Sequence, residues 1–393
     1  MRFFNLVAVA SVLFSTSNAA PLEERTASSY AGHVDALAAQ GFFNLAFYTA
    51  TQGLPSQKCN LQNVAVRREW STLASTEKKS YISAVKCLSK KPAITSTELV
   101  PGVRSRYDDF VATHINQTLA IHGTGNFLSW HRYFVWAYEQ ALRRECGYTG
   151  YQPYWNWGKY ADDPLSSPIF DGSDSSMSGN GAYVKHNASC IPSDSLCEIS
   201  LPTGTGGGCI TSGPFKDFSV NLGPVAPALS YVEPNPGTFG MGYNPRCIRR
   251  DISAYAASHW TKDADTASLI LNNPDPYWFQ TNMQGNFPAG FLGVHTGGHF
   301  TNGGDPGGDL FVSPGDPVFW LHHGMIDRVW WTWQNLDVEK RKTAISGTLT
   351  VNNSPPSRNA TLDDFIDLGI NAGPIKIRDA MSTIAGPFCY VYA

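Results

Sequence analysis

Seven of the ten histidines in this 393-residue sequence fall into two clusters, and these are the residues most able to do chemistry. The first cluster comprises His114, His122 and His131, and the second comprises His295, His299, His322 and His323. Imidazole binds zinc, copper, iron and nickel, whereas a lack of carboxylate ligands disfavours magnesium, manganese and carboxylate-bound iron. We therefore expect two metal sites built from histidine alone. The isolated histidines, for which we expect ordinary polar roles, are His33, His186 and His259.

The second cluster begins with two histidines four residues apart. On a helix, His295 and His299 would lie on one face and could bind one ion together. A zinc protease carries a glutamate directly after the first histidine to activate water. Here that position is Thr296, so the base for metal-dependent hydrolysis is missing.

The same cluster ends with two adjacent histidines, in a helix that we expect to open at Asp316 and Pro317, with Asp316 as its cap. Adjacent helical residues point about 100° apart, so at most one of His322 and His323 should join the ion of the preceding pair. We assign His323, because Asp327 lies one turn later. Its carboxylate could accept a hydrogen bond and fix the orientation of His323, or support local packing.

The first cluster does not fit one straight helix. His122 and His131 are nine residues apart, which is half a turn out of phase. We therefore place His131 on a helix, His122 in the loop around Gly123, and His114 at the end of the preceding helix. Two sites of three neutral imidazoles each leave room for an incoming molecule, and they suit paired redox copper or paired zinc.

Hydrophobic periodicity predicts a mainly helical core with long loops and few strands. We expect helices over 67–91, 127–146, 291–300 and 316–335. The stretch 161–244 is crowded with glycine, serine and proline, and we expect irregular loops there, with Gly204–Gly208 in a disulfide-braced surface loop. Because the two histidine clusters must converge, we expect a single domain.

Long motifs around the histidines resemble the tyrosinase and catechol oxidase family of type-3 copper proteins, and its short secreted fungal members in particular. These motifs are IHGTGNFLSWHR (121–132), GGDL (307–310) and DPVFWLHHGMIDR (316–328). The resemblance implies a four-helix bundle that encloses two copper ions, each held by three histidines from a pair of helices. The implied ligands are His114, His122 and His131 for copper A, and His295, His299 and His323 for copper B.

The resemblance also implies how the domain closes and what it does. Family members end the catalytic domain with a Tyr-x-Tyr element, which Tyr390-Val391-Tyr392 matches, and pair it with an arginine, here Arg67 or Arg68. We expect one catalytic domain over 21–393, without a C-terminal lid domain. The implied reaction is oxidation of a small phenol by O2.

A few positions bear on which phenols react. Relatives that hydroxylate monophenols often have an asparagine after the first copper B histidine and a glutamate upstream, which together hold a water. Here the first position is Thr296, and no glutamate occurs between Asp251 and His295. Gln284 could hold a water but is no base. Because a monophenol must first lose its proton, we expect mainly oxidation of o-diphenols to o-quinones, with weaker hydroxylation of small monophenols. Leu310 is expected to lie over copper B.

Other functions remain as alternatives at this point. A true tyrosinase would hydroxylate monophenols strongly with the same ligands. A haemocyanin-like O2 carrier would use the same copper pair, normally as one module of a much larger chain. A dizinc hydrolase would normally recruit bridging carboxylates, and none is suitably placed. A multicopper laccase would need His-x-His pairs and a His-Cys-His string, which are absent from the sequence.

The remaining features indicate export. Arg2, an apolar stretch over 3–14 and small residues after it predict a signal peptide over 1–20, too short to span a bilayer. In an oxidising compartment we expect the eight cysteines to form disulfides, and Cys190 with Cys197 could close a small loop. A net charge of −3 without a basic run argues against nucleic acid or membrane as a partner. Glycosylation sequons occur at Asn116, Asn187, Asn352 and Asn359.

Overall fold

The computed structural model describes residues 30–54, 56, 58–60, 62–193 and 195–393. The segment 1–20, for which we expect a signal peptide, lies outside these residues. The described chain is mainly helical, and its strands are short and pair into two-stranded sheets. The fold class expected from the sequence is therefore confirmed. None of the described helices combines the length and the apolar character that crossing a bilayer requires.

The described part of the chain contains α-helices and short strands, numbered here in chain order. The helices are α1 (His33–Gln52), α2 (Ser75–Leu88), α3 (Arg106–Ile121), α4 (Phe127–Cys146), α5 (Ala254–Trp260), α6 (Asp263–Asn272), α7 (Pro276–Gln284), α8 (Gly293–Asn302), α9 (Val318–Leu336) and α10 (Val338–Arg341). The strands are β1 (Ala65–Arg67), β2 (Gly181–Tyr183), β3 (Ser189–Ser193), β4 (Leu196–Leu201), β5 (Gly207–Ile210), β6 (Ser219–Val220), β7 (Arg246–Cys247), β8 (Phe365–Ile366), β9 (Ile375–Lys376) and β10 (Tyr390–Tyr392). The paired strands are β1 with β10, β2 with β5, β3 with β4, β6 with β7 and β8 with β9.

Helix α9 is the central element of the core. Every residue from Val318 to Asn335 is buried. A helix that is buried on all sides needs apolar residues on all sides, and α9 supplies four tryptophans. Helices α1 and α4 pack along it, and α8 contacts it near the histidines. Together α3, α4, α8 and α9 carry both histidine clusters, as the expected bundle requires.

Three predicted helices are confirmed within two residues at each end. The helix over 127–146 has the predicted bounds and stops at Gly147, which adopts the left-handed conformation (φ 68°) that glycine tolerates. The helix expected over 316–335 runs from Val318 to Leu336, and Asp316 accepts a hydrogen bond from the Val318 amide (3.0 Å). The helix expected over 291–300 is displaced by two residues to Gly293–Asn302.

The prediction of one helix over 67–91 is wrong in its first part. Residues Ala65–Arg67 form β1, a short 3-10 helix covers Trp70–Thr72, and α2 begins only at Ser75. The cause is a distant partner, because Arg67 lies opposite Tyr392 in the parallel pairing of β1 with β10. Local periodicity cannot reveal a strand whose partner lies more than 300 residues away in the sequence.

A buried ionic cluster joins β1, β10, α4 and α9. The Asp327 carboxylate accepts hydrogen bonds from Arg132 Nε (2.6 Å) and from the hydroxyls of Tyr390 and Tyr392 (2.6 Å each). Arg67 reaches the same carboxylate through Nη1 (3.3 Å), and its guanidinium also stacks on the Tyr390 ring. Of the two arginines expected near the Tyr-x-Tyr element, Arg67 is therefore the one that pairs with it.

All eight cysteines form disulfides, as predicted. The pairs are Cys59–Cys389, Cys87–Cys146, Cys190–Cys197 and Cys209–Cys247. The small loop expected from Cys190 and Cys197 joins β3 to β4, and Cys59–Cys389 lies beside the pairing of β1 with β10. Cys87–Cys146 joins α2 to α4, and Cys209–Cys247 joins β5 to β7.

The glycine-rich segment Gly204–Gly208 is less exposed than expected. Gly206, Gly207 and Gly208 are buried, and a Cβ on Gly206 would lie 2.3 Å from the Arg250 carbonyl oxygen. Asp251 accepts hydrogen bonds from the amides of Gly204 (2.8 Å) and Gly206 (3.0 Å). The expectation of a surface loop is therefore wrong for these three glycines, because neighbouring backbone packs directly against them.

The isolated histidines have the ordinary roles expected of them. His186 Nε2 lies 2.9 Å from the Asp251 carboxylate, and its Nδ1 lies 2.7 Å from the Val184 carbonyl oxygen. His259 Nδ1 contacts the Tyr255 carbonyl oxygen at 2.7 Å. The backbone amide of His33 donates to Asp263 (2.7 Å). These residues brace loops and helix ends away from the two clusters.

Replacing Asp327 by asparagine should destabilise the protein by about 4 kcal/mol, because the buried Arg132 guanidinium loses its counter-charge and Arg67 keeps only that of Glu139. The apparent Tm should fall by roughly 5 °C in differential scanning fluorimetry at pH 7. Burial alone would raise the pKa of Asp327, but Arg132 and Arg67 hold it below its ordinary value. The stabilisation is therefore complete above the unfolded-state pKa, about 4, and is lost as the pH falls through the folded-state pKa.

The matched control is Asp363→Asn, which removes an exposed carboxylate that pairs with Lys376 and Arg378. This variant should keep the wild-type Tm, because exposed ion pairs are screened by solvent. A Tm for Asp327→Asn equal to that of the control would contradict the role assigned to the buried cluster.

Candidate metal centre

The first cluster is assembled by α3, α4 and the turn between them. His114 lies in the middle of α3, His122 is the first residue after that helix, and His131 lies in the second turn of α4. The position expected for His114, at a helix end, is wrong. Helix α3 continues to Ile121, because Ile115, Thr118 and Ile121 extend its buried face. His122 does leave the helix, with extended backbone angles (φ −120°, ψ 142°), as expected.

Backbone carbonyls fix the ring protonation in this cluster. The Nδ1 atoms of His114, His122 and His131 lie 2.8, 2.9 and 2.7 Å from the carbonyl oxygens of Phe311, Thr118 and Phe127 respectively. A carbonyl oxygen can only accept, so each Nδ1 carries the proton and each Nε2 keeps a lone pair. The Nε2 atoms of His114 and His131 are buried and have no hydrogen-bond partner in the described structure.

Burial keeps these imidazoles uncharged. It lowers the pKa of His122 to about 4, and it holds the pKa values of His114 and His131 well below the ordinary value, with repulsion between the rings adding to the effect. A metal binds the neutral imidazole, so the cluster is in its binding-competent protonation state at neutral pH.

The second cluster is formed by α8 and α9. His295 and His299 lie one turn apart on α8, as predicted, and His323 comes from α9. The Nε2 atoms of His299 and His323 are 3.2 Å apart. Two imidazole nitrogens that bind one ion at about 2.0 Å in tetrahedral geometry lie roughly 3.3 Å apart, so this spacing suits a shared ion. Both ring nitrogens of His295 are buried without a hydrogen-bond partner in the described structure.

His322 differs from its neighbour in what its ring contacts. Its Nε2 donates to the His295 carbonyl oxygen (3.0 Å), and its ring packs 5.0 Å from that of Trp157. A Cβ on Gly298 would lie 2.3 Å from the His322 ring, so α8 passes directly over it. Nitrogens of all four histidines of the second cluster lie within 4.8 Å of one another. Proximity therefore does not separate His322 from His323, and the buried Nδ1 of His322 also lacks a hydrogen-bond partner in the described structure, so the assignment of His323 stays a prediction.

The expected hydrogen bond from His323 to Asp327 is wrong. His323 Nδ1 has no hydrogen-bond partner in the described structure, whereas the Asp327 oxygens serve the buried ionic cluster. Charged donors and phenols compete better than a neutral imidazole for this carboxylate. Of the two roles expected for Asp327, local packing is the one that it fills. Asp316, the other supporting carboxylate, accepts hydrogen bonds from Nη2 (2.8 Å) and Nε (2.9 Å) of Arg250.

The two clusters face each other across the bundle. The rings of His131 and His323 stack with centroids 4.6 Å apart, and those of His122 and His295 are 5.8 Å apart. Phe319 packs on His323 with ring centroids 4.1 Å apart. Two ions held by these clusters would therefore be close neighbours in a water-poor interior.

Comparison with known proteins identifies the family and the fold. A family model described as the common central domain of tyrosinase matches residues 104–336. The chain belongs to the tyrosinase family. Tyrosinase P of Aspergillus terreus is 42% identical to it, over 90% of this chain and 99% of the relative. Tyrosinase-like protein orsC of Emericella nidulans is 47% identical, over 77% of this chain and 83% of the relative.

A solved structure shares the whole fold. A mutant of the polyphenol oxidase from Thermothelomyces thermophila superimposes with a TM-score of 0.87 at 43% identity, covering 93% of this chain and 98% of that one. The family resemblance carried by the sequence motifs is thus confirmed. The tyrosinase family uses a binuclear copper centre, and two facing clusters of uncharged imidazoles are a donor set that suits copper.

An open cleft of about 400 Å³ leads to the second cluster of this tyrosinase-family protein. His295, Thr296, His299 and Leu310 line it, and 43% of Leu310 is exposed. Other walls of the cleft come from the β3 hairpin and from the segment 226–234. Nothing in the sequence indicated that either segment belongs to the site. Neither segment carries a histidine or a periodic pattern that could have revealed this role.

Gln284 is not among the residues that line this cleft. Its Oε1 accepts from the Gly123 amide (2.8 Å), and its Nε2 contacts the Gln280 carbonyl oxygen (3.3 Å). Thr296 does line the cleft, but its hydroxyl donates to the Gln284 carbonyl oxygen (2.6 Å). The expectation of Gln284 as a pocket residue is therefore wrong, because its amide joins α7 to the loop after His122.

A fully buried carboxylate ties the cleft walls together. Asp309 Oδ2 accepts from the amides of Val225 (2.7 Å) and Ala226 (2.8 Å), and Oδ1 accepts from the Phe311 amide (2.9 Å). The cleft residues Ala226 and Leu310 are thereby fixed relative to each other. Ser189 adds a link from β3, because its hydroxyl donates to the Ala228 carbonyl oxygen (2.7 Å). The cleft is a braced structure rather than a gap between loose loops.

Replacing Asp309 by asparagine should loosen the wall over 225–234, because the single amide oxygen can no longer accept on one side from Val225 and Ala226 and on the other from Phe311. Burial raises the pKa of Asp309 to about 6, so the wild-type carboxylate is ionised at pH 7.5. At that pH, hydrogen exchange over 225–234 should quicken. The KM for a catechol should rise by roughly three- to tenfold with little change in kcat, as loss of ground-state binding does.

The matched control is Asp109→Asn. Asp109 is also fully buried, and it accepts from the amides of Ile94 (2.9 Å) and Thr95 (3.0 Å), outside the cleft lining. In this variant, amide hydrogen exchange should quicken only around Ile94, and the KM for the catechol should be unchanged. Equal exchange over 225–234 in Asp309→Asn and wild-type protein would rule out the bracing role.

Proposed function

We propose that this protein is an exported type-3 copper oxidase that uses O2 to oxidise o-diphenols to o-quinones. The observation that carries the proposal is the pair of facing all-histidine clusters, with His131 and His323 stacked at 4.6 Å, beside an open cleft. Uncharged imidazoles with free lone pairs suit copper in both of its oxidation states. The name of the Thermothelomyces thermophila relative, a polyphenol oxidase, agrees with this reaction class.

The proposed ligands of one copper are His114, His122 and His131, and those of the other are His295, His299 and His323. A bound copper pair would supply the chemistry toward O2, since each ion can give one electron. The carbonyls of Phe311, Thr118 and Phe127 hold the protons on Nδ1 and so leave Nε2 for the metal. His322 is left to brace α8 through its bond to the His295 carbonyl.

The cleft residues give reasons for a preference for catechols. Apolar walls and Leu310 can hold an aromatic ring and limit access of water. A monophenol must lose its proton to a placed base, and the hydroxyl of Thr296 is engaged with the Gln284 carbonyl. A catechol depends less on such a base, because it is the more acidic phenol. A true tyrosinase is the second candidate, favoured by the name of the Aspergillus terreus relative.

Export is part of the proposal. The sequence of residues 1–20 predicts a signal peptide, and the chain carries four disulfides, which form in oxidising compartments. The sequon asparagines Asn116, Asn187, Asn352 and Asn359 are all exposed and could carry glycans. We propose a secreted glycoprotein whose partners are a small phenol and O2, without nucleic acid or membrane.

The ligand set predicts how copper content responds to substitution. Wild-type protein should hold two copper ions per chain, and His323→Ala should retain about one, because the second site keeps only two ligands. His322→Gln is the control, since glutamine can still donate to the His295 carbonyl, and it should retain both ions. The measurement is elemental analysis of copper-loaded, desalted protein. Loss of copper in His322→Gln but not in His323→Ala would show that His322, and not His323, is the ligand. Zinc in place of copper would refute the assignment of a copper centre.

The substrate preference predicts a difference between matched substrates. Initial O2 uptake with 4-methylcatechol should exceed that with 4-methylphenol by at least about tenfold, because the phenol lacks a placed base. Thr296→Asn should raise the phenol rate, since an amide there could orient a water towards the phenolic proton. Thr281→Asn, the same change on α7 outside the cleft lining, should leave both rates unchanged. Fast wild-type oxidation of the phenol without a lag would favour the true tyrosinase.

A further inference from the structure

One side chain of the cleft has no part in the function proposed so far. Among the described residues that line the cleft, Glu233 is the only one with a carboxylate, and none has a lysine or arginine side chain. Its neighbours in the lining include Leu229, Val232 and Pro234, which are apolar. A single formal negative charge thus stands in a mainly apolar wall of the entrance to the second cluster.

The carboxylate of Glu233 is free to meet a ligand. The residue is exposed, and its side chain makes no ion pair or hydrogen bond with any other residue in the described part of the chain. A carboxylate kept for structural reasons would be expected to have a partner, as Asp309 and Asp327 have. Glu233 instead leaves its oxygens available to whatever occupies the cleft.

The backbone that carries Glu233 is held in place on both sides. The Val232 amide donates to the Leu229 carbonyl oxygen (2.9 Å). Asn235 is buried; its amide donates to the Pro224 carbonyl oxygen (2.8 Å), and its side chain donates to the Gly242 carbonyl oxygen (2.7 Å). Asp309 fixes the start of the same segment through Val225 and Ala226. The backbone at Glu233 therefore has a defined place relative to the histidines, and its side chain moves only about that point.

We propose that Glu233 makes this oxidase select catechols whose side chain ends in an ammonium group over catechols whose side chain ends in a carboxylate. The inference rests on the proposed function, because it assumes that the catechol ring binds at His295 and His299. A ring held there shares the cleft with Glu233, so a charged tail is attracted or repelled according to its sign. An exposed ion pair is worth roughly a two- to fivefold change in binding, and attraction and repulsion together widen the ratio.

The test compares three catechols that differ in tail charge: dopamine, 4-methylcatechol and 3,4-dihydroxyphenylpropionate. Copper-loaded wild-type protein should show a higher kcat/KM for dopamine than for the acid, and Glu233→Gln should lower that ratio by roughly three- to tenfold, mainly through KM. The kcat/KM for 4-methylcatechol should stay within twofold. Raising the salt concentration to about 0.5 M should lower the wild-type ratio towards that of the variant.

Glu198→Gln is the matched control. Glu198 is an exposed glutamate on β4 that also lacks an ion pair in the described chain, and it lies outside the cleft lining. Its dopamine-to-acid ratio should equal that of the wild type. The proposal is overturned by an unchanged ratio in Glu233→Gln, by an equal change in Glu198→Gln, or by an equal loss of activity on all three catechols.

Binding to copper-free protein separates this inference from the proposed function. Saturation-transfer NMR should show tighter binding of tyramine than of 3-(4-hydroxyphenyl)propionate to wild-type protein, and a smaller difference with Glu233→Gln. Equal binding of the two by wild-type protein would refute the selection. Failure of the copper-loaded enzyme to oxidise 4-methylcatechol would instead refute the proposed function, whatever the binding result.

Discussion

Three hydrogen bonds to backbone carbonyls set the state of the first histidine cluster. The carbonyl oxygens of Phe311, Thr118 and Phe127 accept from Nδ1 of the three rings, so each Nε2 is left as a lone pair directed into the site. A carbonyl oxygen fixes the ring tautomer as the carboxylates beside metal-bound histidines do, but without a charge of its own. Burial keeps the rings neutral although each carbonyl hydrogen bond raises the pKa of its histidine, and neutral rings can be packed among aromatic side chains in the core.

Two of these carbonyls belong to the ends of α3 and α4, and the third, that of Phe311, belongs to the loop before α9. Thr118 is one of the last residues of α3, where carbonyls lack a helical partner, and His122 uses it as the chain leaves the helix. Phe127 lies one turn before His131 on α4. The position of each ring thus depends on the length of a helix as well as on its own residue. The buried cluster around Asp327 serves this end, because it locks α4 to α9 through Arg132.

The sequence predicted well whatever depends on neighbouring residues. The i, i+4 pair of His295 and His299 and the helix over 127–146 both follow from helical geometry. Contacts between segments that are distant in the chain could not be predicted from the sequence. The strand at Arg67 depends on Tyr392, and the hydrogen bond expected at Asp327 was wrong because Arg132 and the two tyrosines occupy that carboxylate. The sequence also did not reveal that helix α3 continues past His114, because the polar residues Asn116 and Gln117 interrupt its apolar pattern.

The cleft could not be predicted from the sequence either, because it also depends on contacts between distant segments. This dependence has a consequence for substrate specificity. Its outer wall is a loop that is held at the site by Asp309, 84 residues from Val225, and by Ser189. The helices that hold the histidines contribute little to this wall, so its side chains can differ without moving a ligand. The rigid bundle then determines which reaction is possible, whereas the braced loop determines which phenols reach it. Glu233 lies on the loop, so a change of its charge should act on the choice of substrate and leave the histidine geometry intact.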